Sequence, residues 1–241
     1  MDVQRYVSPD LTHFVGRGRK TLREQYLVLK KILKEGRLRT PRPEKLRRAP
    51  YVLQIHPSKR LSENEAYRAS VVCFCDIPAG DMGLHMRKYG RFGLAFTKDF
   101  LLEEGATPVM YIPSTGRPSL PPWDKYGRRR VSSNAVSFDQ FWSQYQRLCQ
   151  AARDGSAGHL LEPVRRVSEF LDVHLLSHLK FFDPLASDWD KKNYYMEREW
   201  RVSRDVRFHL GDVRRVILPE SYGRRFRRDF PSYDGELVFA D

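Results

Sequence analysis

Near its start the chain places a short strand, a glycine-containing turn and a helix with a boundary signal at each end, and this succession restricts the possible folds. The stretch LTHFVGRG, residues 11–18, is typical of a strand that runs into a turn. Thr21 and Glu24 have the spacing of a capping box, apolar residues follow at helical intervals, and Gly36 suits the position just after a helix. We therefore predict a strand followed by a helix that ends at Gly36.

The patterns further along the chain continue this mixture of strands and helices. Strands are predicted over residues 51–55, 70–78, 91–98, 108–112, 194–203 and 213–219. Helices are predicted over residues 80–90, 138–152 and 161–181. Residues 113–137 are rich in Pro, Gly, Ser and Arg and favour a long surface loop. We predict one α+β domain over residues 1–241, with a loop and helical insertion at about 113–190.

Positive charge is the strongest compositional feature. Lys and Arg number 43 against 30 Asp and Glu, and residues 1–50 hold 14 basic and 5 acidic side chains. Such a surface attracts polyanions, such as nucleic acid or an acidic protein, although basic residues also keep proteins in solution. The predicted nucleic-acid or partner-binding residues are Arg37, Arg39, Arg42, Arg47, Arg48, Arg128, Arg129, Arg130, Arg224 and Arg225.

Several classes of protein are disfavoured by what the sequence lacks. There is no run of about 18 apolar residues, and the first residues have neither the basic nor the apolar region of a signal peptide. The three cysteines and seven histidines show no metal-ligand spacing. The common nucleotide-binding and hydrolase fingerprints are absent. We expect a cytoplasmic protein without a metal, in which Cys73 and Cys75 pack inside a buried strand.

Two carboxylates lie two residues apart in the stretch NYYMEREWRV, residues 193–202. In a strand, Glu197 and Glu199 would project from the same face, where two like charges are unfavourable unless solvated, paired or used in chemistry. A solvated strand face that pairs Glu with Arg explains the pattern without a function. The functional interpretation is that one carboxylate orients a reacting group and the other assists it.

The order of three segments resembles that of the ADP-ribosyltransferases. His13 in LTHFVG, followed by a helix that ends ILKEGRLRTP, is similar to their first motif. VVCFCD, residues 71–76, followed by GDMGLHMRKY, is similar to the second motif, a strand and then a helix with a closing tyrosine. Glu199 before Trp200 is similar to the third motif, and the pairing of Glu197 with Glu199 resembles arginine-directed transferases.

A closer resemblance is to the AbiGi family of bacterial abortive-infection proteins. It rests on HF.GR, VCF.DIP…HM.KYG.FG.AF, GA.PV.YI and YY..EREWRV, which together span roughly residues 8–112 and 193–219. That family carries an antitoxin label, and the resemblance implies a role in defence against phage. The transferase likeness implies a split β-sheet core of the ADP-ribosyltransferase type.

The transferase likeness also implies a role for individual residues, with NAD as co-substrate. Glu199 would bind the nicotinamide ribose and stabilise the developing positive charge, and Glu197 would position or deprotonate the acceptor. His13 would hydrogen-bond the adenosine ribose, with Gly16 allowing close approach of the backbone. Phe74, or alternatively Tyr89, would stack on the nicotinamide.

These observations leave three hypotheses for function. In the first, the chain is a toxin or effector that transfers ADP-ribose from NAD to a polyanionic acceptor, RNA being favoured. In the second, it is a non-catalytic antitoxin or regulator that binds an acidic partner protein, such as a cognate toxin, or nucleic acid. In the third, it is a simple nucleic-acid-binding module, although it lacks the usual signatures of one.

Overall fold

A computed structural model describes residues 8–41, 53–56, 58–64, 67–114, 134–156, 158–187, 190 and 193–239. The helices of these ranges are α1 (Leu22–Glu35), α2 (Gly83–Tyr89), α3 (Lys98–Glu103), α4 (Asn134–Arg153), α5 (Leu161–Phe170) and α6 (Gly223–Asp229). The first strands are β1 (Asp10–Val15), β2 (Arg37–Leu38), β3 (Leu53–Ile55), β4 (Tyr67–Ala69), β5 (Val72–Cys75), β6 (Phe92–Thr97) and β7 (Thr107–Pro108). The later strands are β8 (Met110–Pro113), β9 (Leu179–Phe182), β10 (Glu199–Val202), β11 (Val206–Arg207), β12 (Arg215–Leu218) and β13 (Glu236–Phe239).

The chain divides into two compact units. The first unit contains residues 1–43, 71–108 and 197–241, and the second contains residues 44–70 and 109–196. The insertion expected at about 113–190 falls within the second unit. No helix in the part of the chain that the structure describes is long and apolar enough to span a membrane.

A seven-stranded sheet forms the centre of the first unit. Its strands lie in the order β13-β12-β6-β1-β5-β10-β7, and the pairs are antiparallel except for β12 with β13, which are parallel. The short pair β2–β11 is separate from this sheet. Helices and a large mixed sheet together confirm the predicted α+β class.

Each face of the sheet carries its own apolar cluster. On one face α1 packs Tyr26 and Leu29 against sheet residues that include Phe92 and Leu94, all fully buried. On the other face α2 contributes Met86 to a smaller cluster with Cys75 and other residues. The two faces are therefore covered by different helices, and side chains on neighbouring positions of one strand enter different environments.

Helix α1 has the boundaries that its sequence predicts. Thr21 accepts a hydrogen bond from the Glu24 backbone N–H (3.2 Å), and Glu24 accepts one from the Thr21 backbone N–H (3.0 Å), which completes the capping box. Gly36 follows the helix in the left-handed conformation, with φ of 56°. The predictions for both ends of α1 are confirmed. They could be made from the sequence because capping contacts join residues that are close in the chain.

The second unit combines helix α4 with the parallel pair β8–β9. Trp142 and Tyr145 of α4 are buried together with Ile112 of β8 and Phe181 of β9. The Asn64 side chain forms two hydrogen bonds with the backbone of Phe181. It accepts one from the Phe181 N–H (2.6 Å) and donates one to the Phe181 C=O (2.5 Å). This unit therefore has an apolar core of its own.

Two predicted elements differ from the structure. The helix predicted over residues 161–181 ends as an α-helix at Phe170, passes through π and 3-10 turns, and is followed by strand β9. The strand predicted over residues 194–203 begins only at Glu199, because residues 195–197 form a 3-10 turn. Helix α3 and helix α6 were not predicted, and both are short.

We expect Gly36→Ala to destabilise the protein more than Gly105→Ala, by about 2 kcal/mol. Both glycines have a left-handed φ, of 56° and 80°. A Cβ at Gly36 would lie 2.6 Å from the backbone oxygen of Phe208, whereas a Cβ at Gly105 would meet nothing within 4 Å. Urea denaturation of both variants measures the difference, and equal losses would contradict the predicted clash.

Candidate functional site

The register of the central strands separates His13 from Glu199. Thr12 pairs with Cys75 and Cys75 pairs with Glu199, so these three side chains lie on one face of the sheet. His13 follows Thr12 and therefore lies on the opposite face. The hypothesis of a single hollow that contains both His13 and Glu199 is wrong for this structure, because adjacent strand residues point in opposite directions.

On its own face, His13 is part of the sheet's apolar packing. Its Nδ1 lies 2.8 Å from the backbone oxygen of Cys73, and its ring centroid is 5.8 Å from that of Phe74. Loss of solvation lowers the pKa of His13 below its ordinary value, which favours the neutral ring. Phe74 is fully buried, so its ring is closed to a nicotinamide.

Glu199 lies on the face that α2 covers, and it is paired within its own strand. The Arg201 guanidinium holds the carboxylate through two contacts, from Nε (2.9 Å) and Nη2 (3.1 Å). Both residues are buried, with exposed fractions of 6% and 9%. The expected alternative, a solvated strand face, is therefore wrong, whereas the expected lateral pairing of Glu with Arg is confirmed.

A break in the strand at Arg198 redirects Glu197. Arg198 has a positive φ of 41°, and its backbone oxygen accepts a hydrogen bond from the Asp76 N–H (3.1 Å). Glu197 therefore belongs to the preceding 3-10 turn and does not share the regular strand alternation of Glu199. The prediction of two carboxylates side by side on one strand is wrong for this reason.

Glu197 connects to the end of helix α2. Its Oε1 atom accepts hydrogen bonds from Lys88 Nζ (2.6 Å) and from the Tyr89 hydroxyl. Burial, followed by the charge of Glu197, raises the pKa of Tyr89, and Glu199 also contributes to that rise. The tyrosine therefore remains a protonated donor, and both carboxylates lie within electrostatic range of its hydroxyl.

Two further groups border this cluster. Burial raises the pKa of Cys75 to about 12, with smaller contributions from Asp76 and Glu197, so its thiol stays protonated. Burial lowers the pKa of His85, although Glu197 opposes the effect. Cys75 is buried as expected, but Cys73 is exposed, so packing does not account for it.

The predicted NAD-binding residues do not all meet in one place. Gly16 and Tyr89 both line a cavity between the loop that precedes α1 and the end of α2. His13 and Phe74 do not line this cavity. These four residues therefore do not form one dinucleotide site in this structure. In the residues that the structure describes, no three His, Cys, Asp or Glu side chains are grouped as metal ligands would be.

The predicted partner-binding arginines have different surroundings. Arg37 pairs with Asp205 (2.6 Å), and Arg39 pairs with Glu35 (3.3 Å). Arg224 is exposed on α6, and the guanidinium of Arg225 lies 4.9 Å from the centre of the Tyr26 ring. Outside the described residues lie Arg42, Arg47, Arg48, Arg128, Arg129 and Arg130.

Sequence reasoning missed Lys88 as a partner of Glu197, whereas it expected Glu and Arg to pair on the strand of Glu199. Lys88 is next to Tyr89, which was selected, and Arg201 is two residues after Glu199 in a predicted strand. The spacing of Arg201 places it on the same strand face as Glu199, as the expected lateral pairing requires. The contact of Lys88 with Glu197 joins residues 109 positions apart, and no local pattern indicates it.

We expect Glu197→Ala to lower the free energy of unfolding by about 2 kcal/mol, because it leaves Lys88 and the Tyr89 hydroxyl without this acceptor. Glu162→Ala is the matched control, since Glu162 pairs with Arg165 and Arg166 on an exposed surface and its loss should cost much less than that of Glu197. Urea unfolding followed by tryptophan fluorescence compares the two. Similar losses in both variants would show that burial adds nothing to the Glu197 contacts.

The stability of the protein should fall on acidification below pH 6.5, the ordinary pKa of histidine, because the folded state binds a proton at His13 less readily than the unfolded chain does. One such group changes the free energy of unfolding by at most about 1.4 kcal/mol per pH unit. His13→Gln should reduce this slope between pH 7 and pH 5. His209→Gln, which removes an exposed histidine, is the matched control. An unchanged slope in His13→Gln would contradict the assignment.

Comparison with known proteins adds independent information. A family model for the abortive phage resistance protein AbiGi, described as an antitoxin, matches residues 57–226. The chain is 27% identical over 162 residues to the abortive phage resistance protein AbiGi of Lactococcus lactis subsp. cremoris. This match covers 61% of the present chain. The match spans 56% of the length of that curated relative. No solved structure matches, so the ADP-ribosyltransferase-like core stays a prediction.

The family match includes Lys88, Tyr89, Glu197, Glu199 and Arg201, and thus both partners of each contact that holds Glu197 or Glu199. It covers most of the chain and agrees with the resemblance drawn from the sequence motifs. The chain belongs to the AbiGi family of abortive phage resistance proteins.

Proposed function

We propose that this chain acts in abortive phage resistance as an antitoxin-type protein, which binds a partner protein with an acidic surface and does not depend on chemical turnover. The observation that carries the proposal is that both glutamates are buried and already paired with donors of the protein. Glu199 is held by Arg201, and Glu197 is held by Lys88 and Tyr89, with both carboxylates buried. Carboxylates engaged in this way support the domain and are poorly placed to receive a substrate.

The basic surface of helix α6 supports binding of an acidic partner. The α6 arginine surface consists of Arg224, Arg225, Arg227 and Arg228. Arg224 and Arg228 are exposed, and Arg227 is positioned by its hydrogen bond to the Tyr233 backbone oxygen (2.7 Å). Arginines of this kind bind carboxylates through paired hydrogen bonds, and a net charge of +13 increases the rate at which an acidic partner is met.

The antitoxin description of the family supports a toxin as this partner. Charge complementarity contributes more to association rate and specificity than to affinity. Reversal of a few exposed charges should therefore change binding strongly without unfolding the protein. This property distinguishes a partner-binding role from a role that depends on buried residues.

A second candidate is ADP-ribosyl transfer from NAD to an acceptor, which draws on the proximity of the two glutamates to Tyr89. Both carboxylates act on the pKa of that tyrosine, so three groups with potential roles in catalysis are close together. The position of His13 on the opposite face weighs against this candidate. NAD turnover therefore requires a direct test.

We expect Arg224→Glu with Arg228→Glu to release the toxin in cells that carry the complete abortive infection system, and so to slow their growth before infection, because the double reversal would repel an acidic partner. Arg147→Glu with Arg153→Glu is the matched control, since it makes the same charge change at exposed positions of α4. The growth rate of uninfected cells measures this release. Equal slowing of growth in both double variants would indicate a general effect of net charge and would contradict the assigned surface.

Glu199→Gln should retain protection, and the purified protein should release no nicotinamide from NAD with RNA, DNA or lysate present. Glutamine keeps the shape of the side chain and a hydrogen-bond acceptor for Arg201. Thermal melting verifies that the variant is folded. Nicotinamide release by the unmodified protein, lost in folded Glu199→Gln, would refute the binding proposal and support the transferase.

A further inference from the structure

A cavity of about 330 Å³ lies between the loop that precedes α1 and the end of α2 in the first unit. The described residues that line it include no Asp or Glu. Its basic lining residues are Arg17, Arg19, Lys20, Arg87, Lys88 and Arg91. A concave surface with six positive charges and no negative one has a high positive potential, since nearby low-dielectric walls concentrate the field.

Three of these cations have no acidic partner among the residues that the structure describes. Among the described residues, Arg17, Lys20 and Arg91 form no ion pair, and the Arg17 guanidinium lies 5.2 Å from the centre of the Tyr89 ring. Lys88, by contrast, pairs with Glu197. Repulsion among the unpaired cations is a cost to the folded protein, and a bound anion would remove that cost.

The walls of the cavity are held in place by Gln25 of α1. Its Oε1 accepts from the Arg91 backbone N–H (2.9 Å), and its Nε2 donates to the Arg19 backbone oxygen (3.3 Å). Gly90 has a φ of 121°, and a Cβ there would lie 2.6 Å from the Val15 backbone oxygen. The loop, the helix and the turn after α2 are therefore fixed to one another, which makes the cavity a preformed feature.

We propose that this cavity binds a small, multiply phosphorylated ligand through its di- or triphosphate group. Its volume is in the range of small-molecule sites, and arginine binds phosphate oxygens through paired hydrogen bonds. A triphosphate concentrates about four negative charges within a few ångströms, which matches clustered cations better than the separated carboxylates of an acidic peptide. The proposal concerns a different surface from the α6 arginine surface and does not depend on the proposed function.

Lys88 connects this cavity to the buried glutamate. Lys88 lines the cavity, and its ammonium group donates to Glu197 at 2.6 Å. A phosphate near Lys88 would share this cation with Glu197, while Tyr89 would continue to donate to the carboxylate. The cavity is thereby linked to the contact between the end of α2 and Glu197, in the 3-10 turn that precedes β10.

The test is isothermal titration calorimetry of the full chain with inorganic tripolyphosphate, ATP, ADP, AMP and NAD. Tripolyphosphate and ATP should bind, and loss of each phosphate from ATP should weaken binding about tenfold. Similar affinities for tripolyphosphate and ATP would assign recognition to the phosphates alone, whereas tighter ATP binding would add the nucleoside. Binding of AMP or NAD as tight as that of ATP would overturn the proposal, since phosphate charge would then not determine affinity.

Two double variants with the same change in charge locate the site. Arg17→Gln with Arg91→Gln should weaken tripolyphosphate binding at least tenfold, while Arg147→Gln with Arg153→Gln, at exposed positions of α4, should change it less than about twofold. Thermal melting verifies that both are folded. Equal weakening in both, or no binding by the unmodified protein, would overturn the proposal. A short RNA that binds more tightly than tripolyphosphate and depends on the same arginines would replace it with a nucleic-acid site.

Discussion

Buried carboxylates impose a strong constraint on the first unit, because a charge removed from water must find a partner inside the protein. Glu199 meets this requirement with Arg201 on its own strand, and Glu197 meets it with Lys88 and Tyr89 of α2. The second arrangement joins the end of α2 to the residues before β10. The position of α2, and with it one wall of the basic cavity, depends on that contact.

The same constraint affects how the acidic pair is interpreted. A glutamate that receives a substrate needs access and some freedom to exchange partners, whereas a structural glutamate is saturated by fixed donors. Glu199 has the second kind of environment, with two guanidinium contacts and little exposure. The sequence carries a net charge of +13, and both proposals for recognition of an anion rest on this excess of positive charge.

Local sequence patterns were sufficient to predict elements that are stabilised by contacts between residues close in the chain. The capping box and terminal glycine of α1 were both recognised, since each contact spans only a few positions. The helical periodicity of residues 161–181 was misleading, because Leu179 and Phe181 are apolar in either conformation and pairing with β8 makes this segment a strand. At Glu197 the alternation was interrupted by Arg198, and a positive φ at an arginine has no clear sequence signal.

The sequence by itself determined the mixture of helices and strands, the excess of positive charge, the importance of Tyr89 and the two glutamates, and the resemblance to the AbiGi family. The mixture of elements, the charge and the family resemblance depend on composition, short-range periodicity and motif order, whereas the roles of Tyr89 and the two glutamates stay predictions. Only the tertiary structure decided that His13 and Glu199 lie on opposite faces, that Lys88 neutralises Glu197, and that six cations surround one cavity. Such relations depend on strand register and on contacts between residues far apart in the chain, where a shift of one residue moves a side chain to the other face of the sheet.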